Sequence, residues 1–323
     1  MPPEGPARAA TVNLPSIDAA RLSELLPMDA AVDALEAAFA GVLPEAPSRT
    51  HVRVGEGDLL LMPAVSDAGA GVKLVTVNPG NPARGRPLVQ GVYVLFAPGT
   101  LEPVAIVDGG ALTGIRTAAV SGLATRHLAR SDARHLVLFG AGAQARTHLQ
   151  AMTAVRPVER VTVVSRTPER AEALAEHARG LGLEVGVGEP SAVAEADIVC
   201  TCTTSPVPLF AGSDLRAGAH VNAVGAYTPE TRELDAETMH RGRVVVETRE
   251  AALEEAGDLI LAIGEGAIAA EDVVADLSEV VRGAEVRASD EDVTVFKSVG
   301  VAFEDLVVAR AAVDRLASPG GGA

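Results

Sequence analysis

His135-Leu-Val-Leu-Phe139, followed at once by Gly140-Ala-Gly-Ala-Gln-Ala145, decides how this chain is read. An apolar run of this length makes a strand buried on both faces, the kind parallel sheets contain. The six residues after it fit Gly-x-Gly-x-x-Ala. The first glycine permits a tight turn, and the second lets a phosphate approach the backbone. Ala145 lets the next helix, read over 143–155 through Leu149 and Met152, pack closely on the strand. A helix starting at such a turn offers unpaired N–H groups and the positive end of its dipole. Gly140, Gly142, Ala143 and Gln144 are therefore expected to cradle the pyrophosphate of a dinucleotide.

From this turn onward strands alternate with helices. Strands are read at 136–139, 161–164, 184–187, 197–202, 220–224 and 244–247, with helices near 143–155, 168–180, 190–195, 235–241 and 249–256. The pattern predicts an α/β fold with a doubly wound parallel sheet. The second strand ends at Ser165-Arg166-Thr167. An NAD site usually places Asp or Glu here to bond the ribose 2′-OH, and none is present. Two hydroxyls and a guanidinium match a 2′-phosphate, so NADP(H) is the preferred cofactor. NAD(H) is possible if Arg166 merely stacks on adenine.

Upstream the pattern differs. Residues 18–42 read as one helix that Asp29 can cap, with Val32, Leu35 and Phe39 at helical spacing. Strands at 49–63, 71–78, 89–96 and 103–108, with a Pro- and Gly-rich loop over 78–87, predict an antiparallel meander. Helix 111–129 keeps Leu112, Ile115, Ala119, Leu123 and Leu128 on an apolar side. Near the end come a strand at 293–296 and a helix over 302–316, whose N-terminus Glu304 and Asp305 favour. A role for Asp305 beside the cofactor is the alternative. Glu265, Glu271, Asp272 and Asp276 read as a solvated acidic helical stretch, and His127 and His135 as surface or capping residues. The tail from Ser318 reads as disordered.

At 323 residues the chain suits two domains. Its net charge of −16 argues against nucleic acid or an anionic membrane surface as partner. No stretch has the roughly 18 consecutive apolar residues of a membrane span. The first 16 residues lack the charged-then-apolar pattern of a signal peptide, so the cytoplasm is the default compartment. Cys200 and Cys202 read as small buried residues rather than a disulfide or metal pair, and the scattered His residues show no metal-ligand spacing.

Against this acidic background three cations stand out. Lys73 interrupts an apolar strand, where a charge needs a partner or a ligand. Arg49 precedes a strand, and Arg116 lies on the helix leading into the alternating half. Spacing alone does not bring them together. However, Lys73-Leu-Val-Thr-Val, Gly114-Ile-Arg-Thr-Ala-Ala, Gly140-Ala-Gly-Ala-Gln, Asn222-Ala-Val-Gly-Ala, Arg232-Glu-Leu-Asp235 and Phe296-Lys-Ser-Val-Gly300 occur in an order and spacing that resembles the ornithine cyclodeaminase/mu-crystallin family, over about residues 15–317.

The resemblance implies a Rossmann domain, at 126–300, and an α+β substrate and dimerisation domain made from 1–125 and 301–323. It implies that Arg49, Lys73 and Arg116 hold a substrate carboxylate, that Ser298 to Gly300 border the nicotinamide, and that Asn222 to Ala226, including Val224, line its other side. Thr117 joins the cofactor set, and a homodimer is expected. Cyclodeaminases of the family carry an Asp two residues after the Val-Gly pair; here that position is Tyr227, which cannot be the same carboxylate base. The segment is more similar to ketimine reductase and pyrroline-2-carboxylate reductase members. The implied activity is hydride transfer from NADPH to the C=N carbon of an α-imino acid, with Tyr227 or a water held by Lys73 near the nitrogen. Cyclodeamination with bound NAD and a non-catalytic NADPH-holding role are the alternatives.

Overall fold

The computed structural model describes residues 14–317, so the expectations for the first 13 residues and for the tail from Ser318 lie outside the described residues. Asp18 accepts a hydrogen bond from Arg21 N and starts α1 (Ala19–Leu25), a cap of about 1 kcal/mol. The single helix expected over 18–42 is two. Pro27 has no N–H to continue α1, so the chain begins again as α2 (Met28–Ala40), with Asp29 in its first turn rather than at its cap. The strand expected over 49–63 is a hairpin: Gly55, at φ 61°, turns β2 (Thr50–Val54) back onto β3 (Gly57–Ser66). β4 (Gly69–Val77), β5 (Val89–Phe96) and β6 (Pro103–Asp108) continue the meander. The short β1 (Ser16–Ile17) adds in parallel to β6, a pairing too brief to read from sequence. One face of this sheet, with Leu60, Met62, Lys73, Val75, Tyr93 and Leu95, is buried.

Asp108 caps α3 (Gly109–Leu128) through Ala111 N. This helix is buried on all sides over Gly114–Thr125 rather than along one stripe, because small residues such as Gly114, Ala118, Ser121 and Gly122 let neighbours approach from every direction. It carries Arg116 between the two sheets and leads into β7 (His135–Phe139), α4 (Ala143–Val155), β8 (Arg160–Val164), α5 (Pro168–Gly180), β9 (Glu184–Val187), β10 (Ile198–Thr201) and β11 (His220–Ala223). After α6 (Ala236–Arg241) come β12 (Arg243–Val246), α7 (Arg249–Glu255), α8 (Gly257–Gly264), β13 (Val273–Asp276), α9 (Leu277–Val281), β14 (Thr294–Lys297) and α10 (Ala302–Ala317).

The second sheet is wholly parallel, in the order β13-β12-β14-β11-β10-β7-β8-β9. The order reverses between β7 and β10, the switch point where doubly wound sheets bind ligands. Three details depart from expectation. Residues 190–195 form a 3-10 helix. Part of the acidic stretch is β13, whose alternating Val273 and Ala275 are buried on β12. And β14, last in the chain, inserts between β11 and β12, so that α10 returns to the first sheet. There α10 packs on α2, α3, β3 and β4, with Phe303 edge-on to Phe39 at 5.3 Å. His135 is buried rather than at the surface, held by Glu195 O and Thr162 Oγ1. Among the described residues no helix is long and apolar enough to cross a membrane.

Candidate active site

A cleft of about 1670 Å³ runs across the carboxyl ends of the parallel strands and under the first sheet. Gly140 forms its central turn at φ 100°, and a Cβ there would lie 2.6 Å from Cys202 O, so only glycine lets the β7 and β10 loops touch. Gly142 starts α4 with no side chain capping the helix, and nothing lies within 4 Å of where its Cβ would be. Around this open helix end, Thr117 Oγ1 and Gln144 Oε1 are buried without a hydrogen-bond partner, and both residues line the cleft. Uncapped N–H groups, open backbone and orphaned polar atoms fit a bound dinucleotide. At the end of β8, Ser165, Arg166 and Thr167 line the cleft together with Arg170, which the sequence reading passed over. Among the described residues neither guanidinium is in an ion pair.

At the opposite end the structure brings together Arg49, Lys73 and Arg116, but not as bare cations. Lys73 Nζ lies 2.7 Å from Asp305 Oδ2, Arg116 donates to Glu304 Oε2 at 2.9 Å, and Arg49 donates to Glu255 Oε2 at 2.6 Å and to Gly300 O at 2.9 Å. Arg116 Nε faces Asp305 Oδ1 at 3.4 Å without hydrogen-bond alignment, which leaves both atoms unsatisfied. Glu304 and Asp305 are thus fully buried partners of the cluster rather than solvated capping groups. Their acidity beside the start of α10 was legible; their direction inward was not.

Burial pulls the Lys73 ammonium down to about 8, with Arg116 and Arg49 adding to the effect and Asp305 opposing it. Burial also works against the Arg116 charge, but Asp305, Glu304 and Glu247 outweigh it and hold that guanidinium above its usual value. The Glu304 carboxyl is pushed well above the carboxylate range, first by burial and then by Glu247, to which it is hydrogen-bonded. The three cations are thus met by the acidic groups of Asp305, Glu304 and Glu255, with Glu247 close by, and none of them stands bare.

Glu247, at the end of β12, accepts from Ser298 Oγ at 2.6 Å, Val299 N at 2.9 Å and Gly300 N at 2.8 Å. Gly300, at φ 80°, brings the backbone against Arg116: a Cβ would sit 2.3 Å from NH1. Ser298, Gly300, Val224 and Tyr227 line the cleft. Tyr227 also borders a side cavity of about 240 Å³ with His51, Asp58 and Glu255. Burial pushes its phenol up, although Arg49 lies near. Asn222 does not reach the cleft. It is fully buried in β11 and its amide donates to Thr125 Oγ1 at 2.9 Å, so its place is inside the sheet–helix packing. Cys200 packs beside it, its thiol pushed up to about 12 by burial.

Comparison with known proteins places this geometry. The ornithine cyclodeaminase/mu-crystallin family model matches residues 17–320. The Delta(1)-pyrroline-2-carboxylate reductase of Bacillus cereus is 42% identical over 258 residues, 78% of this chain and 79% of that one. The ketimine reductase mu-crystallin of Rattus norvegicus is 40% identical over 276 residues, 84% of this chain and 85% of that one. The solved Delta(1)-pyrroline-2-carboxylate reductase of Thermococcus litoralis, in complex with NADH and L-proline, superposes with a TM-score of 0.90 at 35% identity, over 94% of this chain and 98% of that one. With a family model spanning nearly all the described residues and relatives matched over most of both chains, the protein belongs to the ornithine cyclodeaminase/mu-crystallin family.

Proposed function

We propose that this protein reduces α-imino acids, cyclic ketimines of the pyrroline-2-carboxylate or piperideine-2-carboxylate kind or their acyclic counterparts, to amino acids at the expense of NADPH. The observation that carries the reading is the meeting of Arg49, Lys73 and Arg116 in one cleft with the Gly140 turn. The named activities of the relatives support it. When bound, the reduced nicotinamide supplies a hydride to the C=N carbon. The protein's own residues hold the substrate carboxylate and keep the imine nitrogen protonated for the hydride. Arg116 lines the cleft and carries the charge and the fork of donors that a carboxylate takes. Lys73, with its proton held at about 8, is an acid of useful strength near neutral pH. A cluster holding both cations and acids suits a substrate that is itself a zwitterion, carboxylate and protonated imine together.

The 2′-phosphate preference rests on Ser165, Arg166, Thr167 and the neighbouring Arg170. The cofactor half is assigned to 126–300, and the substrate half to the described parts of 1–125 and 301–323. The outer face of the first sheet supports a homodimer. Leu61, Leu74 and Val92 align across β3, β4 and β5, as do Pro63, Val72 and Val94, and none of these side chains is fully covered within the chain.

The test is a panel of cyclic and acyclic imino acids, followed at the NADPH absorbance band with NADH as control. Saturable oxidation with a cyclic imino acid is the expected result. Ammonia release from L-ornithine without change at that band would overturn it in favour of cyclodeamination, and tight NADPH binding with no turnover would overturn it in favour of a holding role.

A further inference from the structure

Glu233 is a carboxylate with no solvent contact. It accepts four hydrogen bonds: from Thr201 Oγ1 at 2.7 Å, Thr203 N at 2.8 Å, Thr203 Oγ1 at 2.6 Å and Gly225 N at 2.7 Å. Thr203 belongs to the loop after β10 and Gly225 to the loop after β11, and both loops line the cleft. Glu233 is fixed in turn. Its own N–H and that of Leu234 donate to Asp258 Oδ1 at 2.7 and 2.8 Å, and Asp258 Oδ2 lies 2.8 Å from Lys297 Nζ. Lys297, buried at the end of β14, donates to Ala226 O at 2.6 Å and so returns to the β11 loop. One strand further along, Glu247 gathers Ser298 Oγ and the N–H groups of Val299 and Gly300, the loop after β14. Two buried carboxylates therefore tie down three successive loops.

A buried charge is by itself weak evidence for a stabilising role. Taking each charge out of water costs several kcal/mol, and well-packed apolar residues often serve as well or better. What a densely hydrogen-bonded buried network adds is a single rigid arrangement. The place of the three loops says what the rigidity serves. A dinucleotide with its pyrophosphate at Gly142 and its adenosine at Ser165–Thr167 lies across β7 and β8. Its other end falls at the loops after β10, β11 and β14, beside Lys73 and Arg116.

We propose that Glu233 and Glu247 are positioning residues that prebuild the wall holding the nicotinamide ring, so that the ring is immobilised against the substrate cluster as soon as the cofactor binds. This rests on the reading of the cleft given above. In Glu233→Gln an NH2 group replaces one carboxylate oxygen and faces the N–H of Thr203 or of Gly225. In Glu247→Gln the NH2 turns to Ser298 Oγ, which loses its acceptor while Val299 N and Gly300 N keep theirs. This part of the wall therefore loosens less, and neither change opens the phosphate turn. The proposal predicts that Glu233→Gln and Glu247→Gln bind NADPH with dissociation constants within about threefold of wild type, since the turn and helix end hold the phosphates. The fluorescence lifetime and anisotropy of the bound nicotinamide should nevertheless fall toward the values of free NADPH. Turnover should drop by about 10²-fold, the scale for a displaced reacting group, with KM for the imino acid changing much less. The deuterium isotope effect on hydride transfer should rise.

Should either variant fail to fold, Thr203→Val and Ser298→Ala each remove one hydrogen bond from the same carboxylates and should show the same signature in milder form, with Thr203→Ser restoring wild-type lifetime. A purely structural role predicts lower melting temperatures with lifetime and isotope effect unchanged, and that result overturns the proposal. A wild-type protein that holds no NADPH sinks the reading of the cleft and this inference together. A wild type that reduces imines, beside variants whose bound NADPH is unaltered, sinks the inference alone.

Discussion

Lys73 and Asp305, 232 residues apart in sequence, meet in a buried ion pair at 2.7 Å on the floor of the cleft. The pair joins the meander to the last helix, and through Arg116 to the central helix as well. The cation cluster is therefore also the joint at which three distant parts of the chain are fastened.

A first consequence concerns pH. Only the ammonium form of Lys73 attracts a carboxylate, and burial lowers its proton affinity to about 8. Binding of an unreactive planar analogue such as pyrrole-2-carboxylate should therefore be constant below about pH 8 and weaken by about tenfold per pH unit above it. Lys73→Arg should flatten that limb, because a guanidinium keeps its charge across the range. Titration calorimetry from pH 6.5 to about 9.5 reads both curves. A limb that survives in Lys73→Arg would assign the titration to another group.

The same pair bears on stability. Asp305→Ala leaves Lys73 and Arg116 charged and buried with one partner fewer, a loss on the order of 3–5 kcal/mol. Lys73→Met combined with Asp305→Leu removes both charges and should recover most of that loss while abolishing turnover. Denaturant midpoints for the two variants decide the matter: if the double variant is no more stable than Asp305→Ala, the pair is not what holds the joint.

Much of this arrangement was open to reading from the sequence, and the part that was not has a physical cause. The Gly140–Ala145 turn could be read because its chemistry is local: a buried strand, two glycines and a helix start within eleven residues. The meander was visible for the same reason, although the turn at Gly55 and the break at Pro27 fell inside stretches read as one strand and one helix. The convergence of Arg49, Lys73 and Arg116 came only through family resemblance, since no local pattern encodes a contact between residues on a strand entry, a strand and a helix so far apart in the chain. Their carboxylate partners were misplaced because an acid at a helix start has an ordinary solvated explanation. Asn222 was assigned to the cleft from its motif, whereas strand alternation turns its side chain into the packing against α3.

Gly300 should be intolerant of a side chain for two separate reasons. Its φ of 80° disfavours any L residue, and an added Cβ would press on the Arg116 guanidinium at 2.3 Å. Gly300→Ala should lose on the order of 1–3 kcal/mol of stability and raise KM for the imino acid by about tenfold or more, since Arg116 must tilt away from the carboxylate. Steady-state kinetics on the folded fraction separates the effects. An unchanged KM would mean that Arg116 does not grip substrate.

The outer face of the first sheet gives a mass prediction. Val94→Glu puts a charge among Pro63, Val72 and their neighbours on that face. If two copies bury it, the variant should run at half the wild-type mass in light scattering while keeping its far-ultraviolet spectrum. Equal masses would leave the sheet face without a partner copy.

Cofactor choice follows from the end of β8. Ser165→Asp places a negative charge where the 2′-phosphate of NADPH would meet Arg166 and Arg170. Two unit charges about 4 Å apart near a protein surface repel by about 4 kcal/mol before salt screening. A fall of about 10²-fold in kcat/KM for NADPH is the expected outcome after screening, each tenfold being about 1.4 kcal/mol. NADH carries no phosphate there, and a carboxylate can accept from its ribose hydroxyl, so its kcat/KM should hold or rise. Arg170→Ala should weaken NADPH alone, and the wild-type KM for NADPH should climb with ionic strength while that for NADH stays level. A Ser165→Asp variant whose NADPH-to-NADH ratio equals that of the wild type would show that the 2′ position is read elsewhere in the cleft.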